Sequence, residues 1–470
     1  MGAIAPSAAA LLKQPLLNTA ILATAEAESG AAEPEGALVL AGVLVSLIVI
    51  YAASKLGGEL CARINLPPVL GELVGGVLVG ISALHLILFP GEGTIAADSQ
   101  IMQFLQFTSH LSPETATAVF QSQSEVISVL SEIGVIILLF EIGLESKLDE
   151  LLRVGPQAAI VAVVGVVAPF VAGTLGLIYF FNIAAIPAIF AGAALTATSI
   201  GITAKVLAEI GQLASTEGQI IIGAAVLDDV LGIIVLAVVA SLAKTGEVEI
   251  GNIIYLIISA AVFLVGSILL GRYVIRPIYE TLVARMQTRG ELLLLALVFV
   301  FALSYVATVI ELEAILGAFA AGLILAETQN RNDLEKQVLP VADMLVPIFF
   351  VVVGARTDLS VLNPAIPANR EGLIIAAFLI AVAIVGKVIT GFTVFGQGDL
   401  KKLAIGVGMI PRGEVGLVFA GVGAESGALS SATEAAIIMM VISTTFLAPP
   451  LLRIVFREPE ESPDTVEAGS

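Results

Sequence analysis

The chain has 470 residues, of which 58% are hydrophobic and 13% are charged, and its mean hydropathy is +1.04. Soluble domains are about 45–50% apolar and about a quarter charged, so a water-soluble core cannot bury this much apolar surface. The composition therefore predicts a polytopic membrane protein, and the net charge of -19 argues against nucleic-acid binding, which favours basic patches.

Apolar runs of about 20 residues, the length that crosses a bilayer as a helix, recur along the chain. They predict an all-α polytopic fold with about thirteen transmembrane helices. Residues 1–35 are expected to form a poorly ordered tail and 457–470 an acidic, disordered tail, which leaves a transmembrane domain over 36–456. The predicted spans begin near Gly36, Leu66, Ser124, Gln157, Pro187, Gly218, Asn252, Glu291, Ala314, Val338, Gly372, Leu403 and Glu434.

The distribution of lysine and arginine between alternate loops predicts the orientation, because cytoplasmic loops carry more of both. With the N-terminus outside or lumenal, fifteen of the 21 basic residues fall on the inner side and four on the outer side. The other two, Lys387 and Arg412, fall within predicted spans. The C-terminus is therefore expected in the cytoplasm, with the chain in a bacterial inner membrane or a thylakoid-type membrane.

Two pairs of segments indicate an internal repeat. "LGELVGGVLVG" (70–80) is similar to "LGAFAAGLILA" (316–326), and "EIGVIILLFEIGLESKLDEL" (132–151) to "DMLVPIFFVVVGARTDLSVL" (343–362). The members of each pair are seven predicted spans apart, so they cross the membrane in opposite directions. Inverted repeats of this kind are typical of secondary transporters, which bind substrate near the midplane at interrupted helices.

The repeat places two interruptions in equivalent spans. In "LTATSIGITAK" (195–205), Thr196, Thr198 and Ser199 precede a glycine. Broken helices expose carbonyls and helix ends that can coordinate a cation, although these hydroxyls could also bond to carbonyls of their own helix.

The second interruption is predicted in "GMIPRGEVGLV" (408–418), where Pro411 and Gly413 weaken the helix near its middle. Two charged residues, Arg412 and Glu414, accompany this break.

Two adjacent carboxylates lie in the sixth predicted span, "GAAVLDDVLGIIVLA" (223–237). Burying one ionised carboxylate among apolar groups is costly, so Asp228 and Asp229 need partners or a function. Neighbouring residues of a helix point about 100° apart, so one Asp can face an ion cavity while the other meets Lys387. Proton and cation could then compete for one carboxylate, whereas a structural ion pair explains only one of the two.

Other charged residues have less specific signals. Glu132, in the third predicted span, is expected to neutralise Arg412 or to line a water path. With one cysteine, Cys61, and two histidines, a Cys- or His-based metal site is excluded, and we expect no cofactor.

Four segments together resemble a known family. They are "TATSIGITAKVLAEIG" (196–211), "GAAVLDDVLGII" (223–234), "GKVITG" (386–391) and "MIPRGEVGLVFA" (409–420). These segments are similar to the monovalent cation:proton antiporter family, in particular to the bacterial branch of sodium/proton antiporters and Kef-type potassium systems. The similarity spans roughly residues 37–455.

The resemblance implies a homodimer that works as an elevator. Each protomer would have a dimerisation part, around 36–88 and 252–327, and a moving six-helix core, around 124–242 and 338–456. The double Asp resembles electrogenic members that exchange two protons per sodium ion.

The resemblance also implies roles for individual residues. Asp229 would be the principal ligand of the proton and of the transported sodium or potassium ion, and Asp228 the partner of Lys387. Thr198 and Ser199 would belong to the crossed-helix site. The charged motif of the second broken helix would consist of Arg412 and Glu414.

These observations together predict a sodium/proton antiporter in a lipid bilayer, and not an enzyme. A potassium/proton exchanger is an alternative that the sequence does not rank firmly against it. A cation channel gated by the same helices is a second alternative. A non-transporting membrane sensor or scaffold is a third, and it would predict that Asp229→Asn leaves function intact.

Overall fold

The structure, a computed structural model, is built of helices and describes residues 36–90, 94–245, 250–286, 290–363, 367–395 and 400–457. The predicted N-terminal tail, 1–35, lies outside the described residues, as does most of the predicted C-terminal tail. In chain order the α-helices are α1 (Gly36–Arg63), α2 (Pro68–Val79), α3 (Gln100–Ser109), α4 (Pro113–Glu145), α5 (Leu148–Phe181), α6 (Ala185–Ala194), α7 (Ile200–Glu209), α8 (Thr216–Thr245), α9 (Ile250–Leu270), α10 (Arg276–Arg285), α11 (Glu291–Val309), α12 (Ala314–Ala326), α13 (Arg331–Ala355), α14 (Pro367–Val388), α15 (Lys402–Gly408), α16 (Glu414–Glu425) and α17 (Ser431–Phe456).

Within the described residues, nine helices are long and apolar enough to cross a membrane, namely α1, α4, α5, α8, α9, α11, α13, α14 and α17. Four shorter apolar helices, α2, α6, α12 and α16, lie between them in the chain. The predicted all-α membrane fold is therefore confirmed, while the count of thirteen spans stays a prediction.

Capping residues set the starts of two of the long helices. The Ser112 hydroxyl accepts a hydrogen bond from the amide of Thr115, and Pro113 occupies the first turn of α4. The Ser430 hydroxyl accepts from the amide of Thr433 at the start of α17. These side chains satisfy amides that have no partner within the helix, so the helices begin there.

The internal repeat is visible in how the helices pack. The sequence alignment pairs Gly76 with Gly322 and Gly143 with Gly354. Helices α2 and α13 approach at Gly76 and Gly354, where a Cβ on either residue would lie 2.9 Å from the Cα of the other. Helices α12 and α4 approach in the same way, since a Cβ on Gly322 would lie 2.7 Å from the Cα of Gly143. The same close contact thus occurs twice, between positions that the repeat relates.

Replacing Gly322 with alanine is expected to destabilise the protein by about 1–3 kcal/mol, because the added methyl group forces α12 away from α4. The chain contains no tryptophan, so thermal unfolding is best followed by fluorescence-detected size exclusion of a tagged protein. Gly266→Ala in α9 is a matched control, because its Cβ would meet nothing within 4 Å. Equal melting temperatures for the two variants would contradict this interpretation of the contact.

Most of the helices pack in two groups. The panel group consists of α1, α2, α4, α11, α12 and α13, and the core group of α5, α6, α7, α8, α14, α15, α16 and α17. Helix α4 of the panel group packs against α12 and α13, although the predicted core, around 124–242 and 338–456, includes α4 and α13. The division into a fixed and a moving part stays a prediction.

Candidate functional site

Two apolar helices of the core group are interrupted, and their breaks lie against each other. Residues 195–199 separate α6 from α7, and residues 409–413 separate α15 from α16. Pro411 has no amide hydrogen to donate within a helix, which accounts for the second break. The amide of Ser199 donates to the carbonyl of Pro411 over 2.8 Å. The two interrupted helices predicted from the sequence are therefore confirmed, and a main-chain hydrogen bond joins them.

Hydroxyl groups of the first broken helix donate hydrogen bonds to carbonyls of the second. Thr198 Oγ1 donates to the carbonyl of Met409 at 3.3 Å, and Thr203 Oγ1 to that of Gly408 at 3.0 Å. These carbonyls end α15 and have no helical partner, so the hydroxyls satisfy them. Sequence reasoning missed Thr203, although a second hydroxyl one helical turn after Ser199 was a usable signal.

Arg412, which lies in the second break, donates hydrogen bonds to carbonyls of the first break. Its guanidinium is fully buried and donates from Nη1 to the carbonyl of Thr196 at 3.0 Å and to that of Ala197. These carbonyls follow the end of α6, where a cation is favourable next to the helix dipole. The hydroxyl of Thr445 donates to the carbonyl of Arg412 at 2.5 Å. The negative charge of the Asp228 carboxylate stabilises the positive charge of the Arg412 guanidinium.

Asp228 of α8 forms an ion pair with Lys387 of α14. The Lys387 Nζ lies 3.2 and 3.1 Å from the two carboxylate oxygens, and both side chains are completely buried. A Cβ on Gly165 of α5 would lie 3.2 Å from that Nζ, so the backbone of α5 packs closely against the ammonium group. Buried pairs of this kind persist only when the charges compensate each other.

Asp229 points to a different place. It is 4% exposed and lines a cavity of about 10 Å³ together with Ala197, Thr198, Ser199 and Gly413 of the two breaks. That volume holds one water-sized occupant. A carboxylate next to hydroxyls and main-chain oxygens offers oxygen ligands, which suit a bare alkali cation as well as a proton.

The remaining predicted site residues lie around this arrangement. Thr196 contributes its carbonyl to Arg412, but its hydroxyl donates to the carbonyl of Ala193 at 2.7 Å and does not line the cavity at Asp229. Glu414 begins α16, and its side chain lies outside the described part of the structure.

Glu132 lines a second, larger cavity, of about 430 Å³, between the panel and core groups. Arg356 lines the same cavity, donates to Ser128 Oγ at 2.7 Å and stacks 4.3 Å from the ring centre of Phe89. Burial lowers the pKa of Arg356, and the charge of Glu132 opposes that change. Gly413 lines both this cavity and the one at Asp229, so the two cavities are adjacent.

Comparisons with known proteins indicate a family of membrane antiporters. A family model described as "Sodium/hydrogen exchanger, transmembrane" matches residues 43–458. The high-affinity Na(+)/H(+) antiporter NhaS3 of Synechocystis is 73% identical over 91% of this chain and 93% of its own length. The Na(+)/H(+)-K(+) antiporter GerN of Bacillus cereus is 32% identical over 87% of this chain and 95% of its own.

A solved structure shares the fold at low sequence identity. The sodium proton antiporter MjNhaP1 from Methanocaldococcus jannaschii matches with a TM-score of 0.59 and 18% identity, over 88% of this chain and 96% of that one. This likeness concerns the arrangement of the helices.

Proposed function

This chain belongs to the sodium/hydrogen exchanger family, and from that premise we propose that it exchanges sodium ions for protons across a membrane. It is an integral, multi-pass membrane protein. The observation that carries the proposal is the position of Asp229, which lines a cavity of one-ion size between two interrupted helices. Sequence similarity to named sodium/proton antiporters supports sodium and protons as the exchanged ions.

In the proposed mechanism, proton and cation bind to the same carboxylate in turn. Deprotonated Asp229 binds the cation, with the hydroxyls of Thr198 and Ser199 and nearby carbonyls as further oxygen ligands. Protonation removes the negative charge and releases the cation. Asp228 stays with Lys387, so its charge is compensated while Asp229 titrates.

Access alternates when one helix group moves past the other. The interrupted helices, Asp229 and Lys387 all belong to the core group, so a rigid movement of this group carries the intact site. The packing of α4 against α12 and α13 favours keeping α4 with the fixed panel group. In a homodimer joined through its panel groups, these groups would stay fixed while the core groups move. In the proposed orientation the N-terminus lies outside or in the lumen and the C-terminus in the cytoplasm.

Potassium is the second candidate cation, because one relative carries both ions in its name. Both ions take oxygen ligands, so the residue types that line the cavity do not distinguish between them.

Sodium-driven proton movement is the expected result in everted vesicles from antiporter-deficient bacteria that express the chain. Respiration acidifies the vesicles, and added sodium should then raise the internal pH, which an acridine dye reports. Potassium added in place of sodium measures the second candidate. Vesicles from cells with the empty vector are the control, and the absence of a response to both ions would overturn the proposal.

The exchange is further expected to depend on membrane potential, because the double Asp resembles electrogenic members that exchange two protons per sodium ion. Asp229 accounts for one of these protons, so an electrogenic cycle needs a second proton carrier, for which the buried Asp228–Lys387 pair is the candidate. In proteoliposomes with the potential clamped by potassium and valinomycin, sodium-driven exchange should change in rate with the clamped voltage. An unchanged rate would contradict an electrogenic cycle and leave sodium/proton exchange itself intact.

A further inference from the structure

A residue from outside the core group lines the cavity at Asp229. Glu313 directly precedes α12 of the panel group, and it lines the same cavity of about 10 Å³ as Asp229, Ser199 and Gly413. The cavity wall is therefore formed by both helix groups. An acidic side chain in that wall adds negative charge next to the proposed cation position.

The Ser199 hydroxyl independently indicates that this cavity takes a ligand. Ser199 is 8% exposed and occupies the position that caps α7, yet its hydroxyl accepts no hydrogen bond from the amides of that helix. Among the described residues it forms no side-chain hydrogen bond, and it lines the cavity instead. A hydroxyl that has no protein partner and opens into a cavity can serve as an oxygen ligand for a cation or a water bound there.

The internal repeat shows that the acidic residue is specific to one half of the chain. When Leu70 is aligned with Leu316, Pro67 takes the place of Glu313, and each precedes its short panel helix. Pro67 lines a separate cavity, of about 550 Å³, and carries no charge. The two repeats thus present different electrostatics where each meets the core group.

We propose that Glu313 is a second carboxylate of the cation site, contributed by the panel group only when the core group is placed as described here. This inference rests on the proposed exchange function. Movement of the core group takes Asp229 away from Glu313, so the additional charge attracts the cation in one of the two access states. Sodium should therefore bind more tightly from the side where α12 begins, which is the outer side in the proposed orientation.

The test measures sodium dependence of exchange from each side, in right-side-out and everted vesicles. Glu313→Gln is expected to raise the half-maximal sodium concentration on the order of tenfold from one side and to leave the other side within about twofold, as for the loss of a nearby charge in a medium of intermediate dielectric. Glu313→Asp keeps the charge and should restore most of the affinity. Rescue by aspartate distinguishes a charge effect from a packing effect.

Glu311→Gln is the matched control, because it removes the same charge from the same loop at a residue that does not line the cavity. An equal loss from both sides in Glu313→Gln, or the same response in Glu311→Gln, would overturn the role of Glu313. If Glu313→Gln is too poorly folded to reconstitute, Glu313→Asp must still show wild-type sidedness, and loss of sidedness in this variant would also overturn the proposal. Wild-type vesicles without any sodium-driven exchange would instead overturn the proposed function.

Discussion

Replacing Asp229 with asparagine is expected to reduce sodium/proton exchange to the level of vesicles without the protein. Asparagine has nearly the same shape, so the cavity between the two breaks should persist. It cannot ionise, however, and therefore can neither exchange a proton for the cation nor offer a negative charge to it. The dye assay in everted vesicles measures this loss directly, and the melting temperature of the purified variant shows whether the fold is retained.

Two further variants make the result specific. Asp149→Asn removes an exposed carboxylate at the start of α5 and should leave exchange unchanged. Asp229→Glu keeps a titratable group, but a cavity of about 10 Å³ has little room for an extra methylene, so we expect weak exchange with reduced sodium affinity. Exchange in Asp229→Asn above about a tenth of the wild-type rate would refute the assignment. A tenfold lower rate corresponds to an activation free energy only about 1.4 kcal/mol higher, which is too little for the loss of the essential carboxylate.

The interruptions and the charges within spans could be predicted from the sequence because each has a local cause. Pro411 lacks the amide hydrogen that a helix needs, and its effect does not depend on distant residues. Asp228 and Lys387 each carry a charge within an apolar run, which is costly without a partner. With two acids and one internal lysine, few pairings were available.

The partners of other charges depend on packing between distant segments and could not be predicted. Arg412 meets the carbonyl of Thr196, 216 positions away, and a carbonyl leaves no mark in the residue type. Glu132 was expected either to neutralise Arg412 or to line a water path, and the structure places it in a cavity with Arg356. Glu313 lies at the end of an ordinary apolar helix, and only the approach of the two helix groups brings it to Asp229.

The repeat relates one kind of tertiary contact between the two halves of the chain. Because two halves of the chain share a pattern, a glycine that permits close packing in one half has a counterpart in the other. Gly76 and Gly322 show this relation, since each meets the glycine of its neighbouring helix. The repeat does not indicate where the two halves differ. Pro67 and Glu313 occupy equivalent positions of the two repeats and are such a difference.

Replacing Lys387 with methionine is expected to lower the free energy of unfolding by about 3–5 kcal/mol, because Asp228 would keep a buried carboxylate without its compensating charge. Both side chains are completely buried in the ion pair, so water cannot take the place of the ammonium group. Thermal unfolding of the tagged protein measures the effect. Lys336→Met is the control, because Lys336 pairs with Asp333 on the surface and should cost at most about 1 kcal/mol.

The double variant Asp228→Asn/Lys387→Met tests whether the cost comes from the unpaired charge. Removing both members of a buried pair is often close to neutral, so the double variant should recover most of the melting temperature that Lys387→Met loses. Asp228 also acts on Arg412, so Asp228→Asn alone should destabilise as well. The expected coupling between the two changes is about 2–3 kcal/mol, at the upper end for residues in contact. Additive losses in the double variant would show that Lys387 stabilises the fold through packing along its side chain, independently of the charge on Asp228.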